Sequence, residues 1–288
     1  MPIVRCTAVI VLCGALTISV SGAESVDSLL AESRAAWRAG ETDKAIELAS
    51  KAIKSGGDEA RPHLYRGTLY AALRRHEEAL ADLDRAIELD PRDAGAYEQR
   101  GSERFKLGRF GDSIADFDRQ IALDPASEAG HWKRGISYYC AGQFAQGRKQ
   151  FEGYQTVDSN DVENAVWRFL CMARSDGVEA ARGDLLKIRH DRRVPMMEIY
   201  ALFAGQATPD QVLTAVRAGE PAAEELRQRL FYAELYLGLY YDAQGDRPGA
   251  RKHLQAAVEQ KIGHYMWDVA KVYADILVKG EPSLSGRG

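Results

Sequence analysis

The stretch RGTLYAALRRHEEALADLDRAIELDP at 66–91 returns 34 residues later as RGSERFKLGRFGDSIADFDRQIALDP at 100–125, with Arg, Gly, Leu, Asp and Pro in the same places. The period extends in both directions. Gly67, Gly101 and Gly135 are 34 apart, as are Pro91 and Pro125, Gly108 and Gly142, Ala45 and Ala79, and Ala52 and Ala86; Gly40 lies two periods before Gly108. A sustained period of this length constrains the fold more than any other feature of the chain. A unit this small cannot bury its apolar face alone, so neighbouring units must stack and share one continuous core. An active site gains little from repetition, whereas a surface built by stacking gains a great deal.

Each unit reads as two helices. In AYEQRGSERFKLG apolar and small residues recur at helical spacing, and Gly108 ends the segment at a turn. DSIADFDRQIALDP follows, with Ile114, Phe117 and Ile121 on one stripe and Pro125 as the stop, since proline lacks the amide hydrogen and clashes with the preceding turn. Small residues such as Gly101, Ala79 and Ser113 are expected where the two helices cross closely. Arg66 with Asp82, and Arg100 with Asp116, are each 16 residues apart on the two helices of one unit, and antiparallel packing would join them as an ion pair; Arg134 keeps the arginine, but its acid has become Gln150. Asp82 with Asp84 and Asp116 with Asp118 recur with the repeat, which favours a structural role. His63 and His131 share a repeat position, with Tyr97 between them, and suggest a packing or groove-edge slot.

These units resemble tetratricopeptide repeats, whose period is 34 residues. The small residue, aromatic, Ala, large apolar residue, Ala and Pro of that family correspond to Gly67, Tyr70, Ala79, Leu83, Ala86 and Pro91. Arg104, Ser113 and Gln120 depart from the pattern in the next unit. The expected fold is all-α, a helix-turn-helix solenoid. Its units fall at 26–59 (a weak one), 60–93, 94–127 and 128–161, with a further unit at 231–264 that holds Gly238, Tyr241, Gly245, Ala250, Leu254 and Ala257 in register. The intervening 162–230 is helical in pattern but degenerate as repeats, and Thr208 with Gln211 is placed to cap one of its helices. A last helix at 265–279 would shield the open end of the stack, and 280–288 reads as a frayed tail.

Composition agrees with a folded chain: 288 residues, 45% hydrophobic and 28% charged. The formal charge of −4 argues against a general nucleic-acid binder, which needs a basic surface; the RHDRR run at 189–193 reads as a solvated loop or helix end. Residues 1–23 have the layout of a secretory signal peptide: Arg5, an apolar stretch from Ala8 to Leu16, then Ser21-Gly22-Ala23. The apolar stretch is short for a membrane span, and no other segment is long and apolar enough for one. Export to the periplasm or secretion is the expectation, with membrane anchoring by an uncleaved N-terminus as the alternative. Cys140 and Cys171 remain after cleavage; an oxidising compartment would permit a disulfide between them, though each has the setting of a small buried hydrophobe.

No catalytic, cofactor or metal motif is present. His76-Glu77-Glu78 begins like a zinc-protease motif, but Leu80 stands where the second histidine is needed. An enzyme would have to place its chemistry within 161–230, where Glu163, His190, Asp191 and Glu198 form no recognisable set. The resemblance to tetratricopeptide repeats instead implies a concave groove lined by the first helix of each unit. That face carries Leu64, Thr68 and Ala71, then Glu98, Ser102 and Phe105, then Trp132, Ile136 and Tyr139, extended by Arg34 and Trp37. Leu64, Phe105, Trp132, Ile136 and Tyr139 are the expected contacts for a protein or peptide partner, because aromatic and large apolar side chains anchor such interfaces. The family's Lys/Arg/Asn clamp for a peptide carboxylate is not evident.

Four N-terminal repeats, the VWRFLCMAR helix, degenerate helices and then FYAELYLGLYYDAQGD together resemble the new lipoprotein I family of bacterial envelope adaptors. That resemblance implies an exported, non-enzymatic scaffold whose partners include envelope proteases or peptidoglycan hydrolases. Leu12 before Cys13 departs from the small residue that lipidation requires, and argues against a lipid anchor. The alternative is a self-assembling structural subunit, a homodimer through the aromatic FYAELYLGLYY stretch.

Overall fold

A computed structural model describes residues 24–279. The signal segment at 1–23 and the tail at 280–288 lie outside the described residues. Among those described, the chain forms fifteen α-helices and no strand, and it divides after Gly57 into two compact units.

The first unit is one antiparallel pair, α1 (Val26–Arg38) and α2 (Thr42–Gly56). Ser25 caps α1 by accepting from the Ser28 amide. Leu29, Leu30, Ala45, Ala49 and Ala52 are fully buried, and Ser33 Oγ donates to Ala45 O at 2.5 Å where the helices cross.

The second unit begins with three such pairs: α3 (Ala60–Ala72) with α4 (His76–Leu89), α5 (Ala94–Lys106) with α6 (Phe110–Leu123), and α7 (Trp132–Cys140) with α8 (Phe144–Tyr154). Then come α9 (Val162–Ser175), the single turn and a half of α10 (Val178–Gly183), α11 (Met196–Phe203) and α12 (Pro209–Ala215). A long α13 (Ala223–Ala243) pairs with α14 (Arg247–Glu259), and α15 (Tyr265–Lys279) ends the described chain. The cap on α12 is reciprocal: Gln211 N–H donates to Thr208 Oγ1 at 3.4 Å, and Thr208 N–H donates to Gln211 Oε1 at 2.8 Å.

The turn inside each pair repeats as faithfully as the helices. Gly108 and Gly142 sit at φ of +75° and +74°, and the amides of Arg109 and Gln143 reach back to the carbonyls of Arg104 and Tyr138 at 2.8 Å. This bond closes a helix whose next residue has entered the left-handed region, where glycine carries no Cβ penalty. The equivalent residue after α3 is Arg74, at φ +60°. Its side chain pairs with Asp268 of α15 at 2.7 Å and lies 4.4 Å over the Trp267 ring. A strained backbone position is thus occupied by a residue whose side chain holds the last helix.

Helix crossings depend on absent side chains. A Cβ on Gly101 would stand 2.7 Å from the Phe117 ring, one on Gly135 2.6 Å from the Phe151 ring, and one on Gly238 2.6 Å from Leu254 Cγ. Phe117, Phe151 and Leu254 are all buried at 1% exposure or less, so the glycine sets the distance between the two helices of each pair.

An arginine ladder runs along the repeats. Arg66 donates to both oxygens of Asp82 at 2.7 and 2.8 Å, and Arg100 does the same to Asp116 at 2.9 and 2.7 Å. Arg134 Nε donates to Gln150 Oε1 at 2.8 Å, so the amide serves where the acid is missing. The same arginines also reach backward to the preceding pair: Arg100 to Asp84 and Arg134 to Asp118, at 2.7 and 2.8 Å. Arg168 continues the pattern, donating to Glu152 at 3.0 Å and Asp184 at 2.7 Å, each 16 residues away. The segment expected to be degenerate therefore opens with α9 and α10 in repeat register.

Candidate interaction surface

A groove in this part of the molecule would be lined by α3, α5, α7 and α9. Of the five expected partner contacts, three are core. Phe105 and Ile136 are exposed by 1% or less and Tyr139 by 4%. Their cover is α15. Tyr265 packs its ring 5.6 Å from Phe105 and edge-on 5.4 Å from Trp132, and Tyr273 lies 5.9 Å from Tyr139. The expectation of open groove contacts at Phe105, Ile136 and Tyr139 is corrected accordingly. The physical reason is that α15 carries its own aromatic face, and burying ring against ring removes apolar area from water on both sides. The last helix packs along α14, where Trp267 Nε1 donates to Val258 O at 2.8 Å, and also lies over the face of α5 and α7. Leu64 is half-buried beside Ile87, Ala96 and Tyr97, Trp132 is half-buried, and Thr68 is exposed, its hydroxyl bonded to Leu64 O and to Gln99.

Polar side chains lock α15 in place. Tyr273 O–H donates to Asp242 Oδ2 at 2.5 Å, which leaves Tyr139 O–H to donate to Tyr273 at 3.1 Å. Arg174 donates to Asp242, to Tyr273 at 3.1 Å and to Tyr139 at 3.3 Å. Burial pushes the Tyr139 hydroxyl up to about 12, so it stays protonated and able to donate. Nearer the start of α15, Glu103, 2% exposed, accepts from Lys106 at 2.6 Å and bonds His76 at 2.6 Å. Those two bases hold its carboxyl below the usual range although burial alone would raise it.

Two of the acids considered for catalysis come together on one arginine. Glu163 and Asp191 meet at Arg193, whose guanidinium bonds Glu163 Oε1 at 2.5 Å, Asp191 at 2.6 Å and Asp161 at 2.7 Å. His190 is exposed beside this cluster. Burial raises the Glu163 carboxyl, and Tyr236 O–H donates to it at 2.7 Å. The arrangement is an ion-paired knot, three carboxylates on one guanidinium, between α9 and the 185–195 segment. Among the described residues no group of three or more His, Cys, Asp or Glu is placed to hold a metal ion.

Cys140 and Cys171 are both buried free thiols, pushed well above the ordinary range by burial. His131 caps α7, its Nδ1 accepting from the Arg134 amide at 3.2 Å while Nε2 faces Gln120 Oε1. The aromatic FYAELYLGLYY stretch is largely interior: Phe231, Leu235, Tyr236 and Leu237 are fully buried within the chain. No described helix is long and apolar enough to cross a membrane.

Sequence reasoning missed Arg168 and Arg74. One further period counted from Arg134 would have found the first, and an arginine at the recurrent glycine position marks the second.

Two family profiles, each described as a tetratricopeptide repeat, match residues 30–94 and 232–260. No curated protein sequence matches the chain. Among solved structures, a tetratricopeptide repeat protein from Parabacteroides merdae superposes with a TM-score of 0.57 at 13% identity, over 88% of this chain and 98% of that one. MamA matches with a TM-score of 0.52 at 18% identity, over 63% of this chain and 92% of its own. The 41-end portion of MamA from Desulfovibrio magneticus RS-1 matches at 0.51 and 16%, over 55% and 89%. At such identities the likeness is one of fold. Period, glycine crossings and profile matches agree: the chain carries tetratricopeptide repeats in an all-α arrangement of helix pairs.

Proposed function

We propose that this protein is an exported, non-enzymatic scaffold of the bacterial cell envelope that binds partner proteins through its repeats. Tetratricopeptide repeats build protein-interaction surfaces, and stacking provides an extended face without a deep catalytic pocket. The observation that carries the reading is the division of the expected groove: α15 occupies the face of α5 and α7, while Thr68 on α3 remains exposed next to the half-buried Leu64. The partner surface is therefore assigned to α3 and the adjoining edge of α5, where Glu98 and Gln99 add polar contacts. The layout of residues 1–23 supports export, and the resemblance to envelope adaptors supports proteases or peptidoglycan hydrolases as partners.

The test is capture from a periplasmic extract by residues 24–288, next to a Thr68→Arg/Gln99→Ala variant of equal helicity and melting temperature. One specific protein held by the parent and lost by the variant is the expected result. Equal capture by both would remove α3 from the interface. Cell fractionation of the full chain checks location independently: the expected result is a shortened form in the periplasmic fraction, and an unprocessed form in the cytoplasm would contradict export.

A further inference from the structure

A cavity of about 240 Å³ opens among α7, α8, α9, α13 and the turn into α15. Partly exposed aromatic side chains form its accessible walls: Trp132 from α7, Tyr154 at the end of α8 and Tyr232 from α13. Phe151 and Trp167, both exposed by 2% or less, back these walls with their rings nearly parallel and 6.4 Å apart. Cavities of about 150 Å³ already admit a benzene-sized guest, so a chain of a few carbons with a polar head fits here.

The polar edge of this cavity carries more negative than positive charge. Asp161, Glu163 and Arg193 line it, and with Asp191 three carboxylates share one guanidinium. Arg193 offsets only one of the three, so an excess of negative charge remains even with Glu163 protonated. The aromatic walls lie within that field. The hydroxyls of Tyr154 and Tyr232 are held above their ordinary range by burial first and by Asp161 and Glu163 next, with Arg193 opposing. Asp161 keeps a side-chain exposure of 17%. Its Oδ1 accepts from the Glu163 amide at 2.9 Å and from Arg193 at 2.7 Å, whereas Oδ2 takes no hydrogen bond among the described residues.

These charges narrow the chemistry. An anion would meet like charge. A metal ion needs carboxylates that converge on an open point, and Arg193 occupies that point; among the described residues no group of three or more His, Cys, Asp or Glu is placed to hold one. The cations nearby leave the cavity unfilled. Lys133 stands 5.8 Å from the Trp132 ring but is paired with Glu98 and lines a neighbouring groove. Burial and Lys133 push the His264 imidazole down, so it is uncharged near neutral pH. An organic cation answers both features, since ring faces attract positive charge and a carboxylate accepts from its N–H groups. We propose that this cavity binds an alkylammonium cation, whose carbon chain lies against Trp132 and Tyr232 and whose ammonium group donates to Asp161. A free amine and a lysine side chain offer the same chemistry. The site uses neither Thr68 nor Gln99, so it does not depend on the partner surface assigned to α3.

The test is calorimetric titration of the full chain with n-butylammonium near neutral pH and at fixed ionic strength. Butan-1-ol and butyrate, of similar size but uncharged and negative, are run on the same parent protein, so this comparison does not depend on a variant folding. The expected result is saturable binding of butylammonium, roughly tenfold or more tighter than butan-1-ol, with no binding of butyrate. Asp161 caps α9, and Asp161→Asn keeps a good cap while removing the charge; it should weaken butylammonium roughly tenfold. Absence of saturable binding overturns the proposal, as does equal binding of butan-1-ol. Tighter binding of butyrate overturns it by making Arg193 the recognising group, and displacement of butylammonium by an equal concentration of magnesium does so by making the site one for a metal. Unchanged affinity in a folded Asp161→Asn also overturns it, since the ammonium would then lie elsewhere. Nα-acetyl-lysine methylamide distinguishes the sources: binding at least as tight as butylammonium assigns the cation to a lysine side chain, and binding of butylammonium alone assigns it to a free amine.

Discussion

At the residue scale, His131 shows how a single side chain couples the fold to pH. Burial, with Arg134 beside it, pushes the imidazole down to about 4. The unfolded chain therefore takes up this proton first as pH falls below the ordinary histidine value of about 6.5. The stabilisation is full above that pH and is lost progressively down to about pH 4, amounting to about 3 kcal/mol. His131→Asn keeps a good cap for α7 without the titration; urea denaturation across this window should show a shallower loss in the variant than in the parent. Glycine makes a second residue-scale argument. Gly135→Ala forces a methyl group against the Phe151 ring, and should cost about 1–3 kcal/mol. Gly111 has open space around its missing Cβ, so Gly111→Ala should be neutral or stabilising by about 0.5 kcal/mol, read in the same denaturation experiment.

At the scale of elements, the arginine ladder joins each helix pair internally and to the pair before it, but its rungs differ in worth. Asp116 is 3% exposed and accepts from Arg100 and Arg104, so Asp116→Ala leaves two guanidinium groups without their buried partner and should cost about 3–5 kcal/mol. Arg168 faces Glu152 and Asp184, which are 41% and 57% exposed and can turn to water. Arg168→Met retains the buried stem and should cost only about 1 kcal/mol, measured by thermal melting. The Arg66–Asp82 and Arg100–Asp116 rungs were legible in the sequence because both partners repeat at fixed spacing. The backward rungs were not, since Asp84 and Asp118 alternate in sequence with the buried acids, and only three-dimensional stacking shows which unit they face. The register of α9 was hidden by a short second helix, Val178–Gly183, that carries too few residues to display a repeat pattern.

For the second unit as a whole, the repeats form a concave face and the same chain supplies the helix that fills it. Helix pairing is local and periodic, so the sequence displayed it; the docking of α15 joins residues as far apart as Tyr139 and Tyr273, and no spacing rule reports a contact across that distance. The apolar periodicity of Phe105, Ile136 and Tyr139 is equally consistent with a groove and with a core, and the distinction lies wholly in what packs on top. Amide hydrogen exchange of the full chain tests this most directly. The account predicts that peptides from 265–279 are protected as strongly as those from α5 and α7, and that Arg74→Gly, which frees α15 from its ion pair, raises exchange in 265–279 and in 97–108 together. Rapid exchange of 265–279 in the parent, with α5 and α7 still protected, would contradict it and return Phe105 and Tyr139 to an open groove.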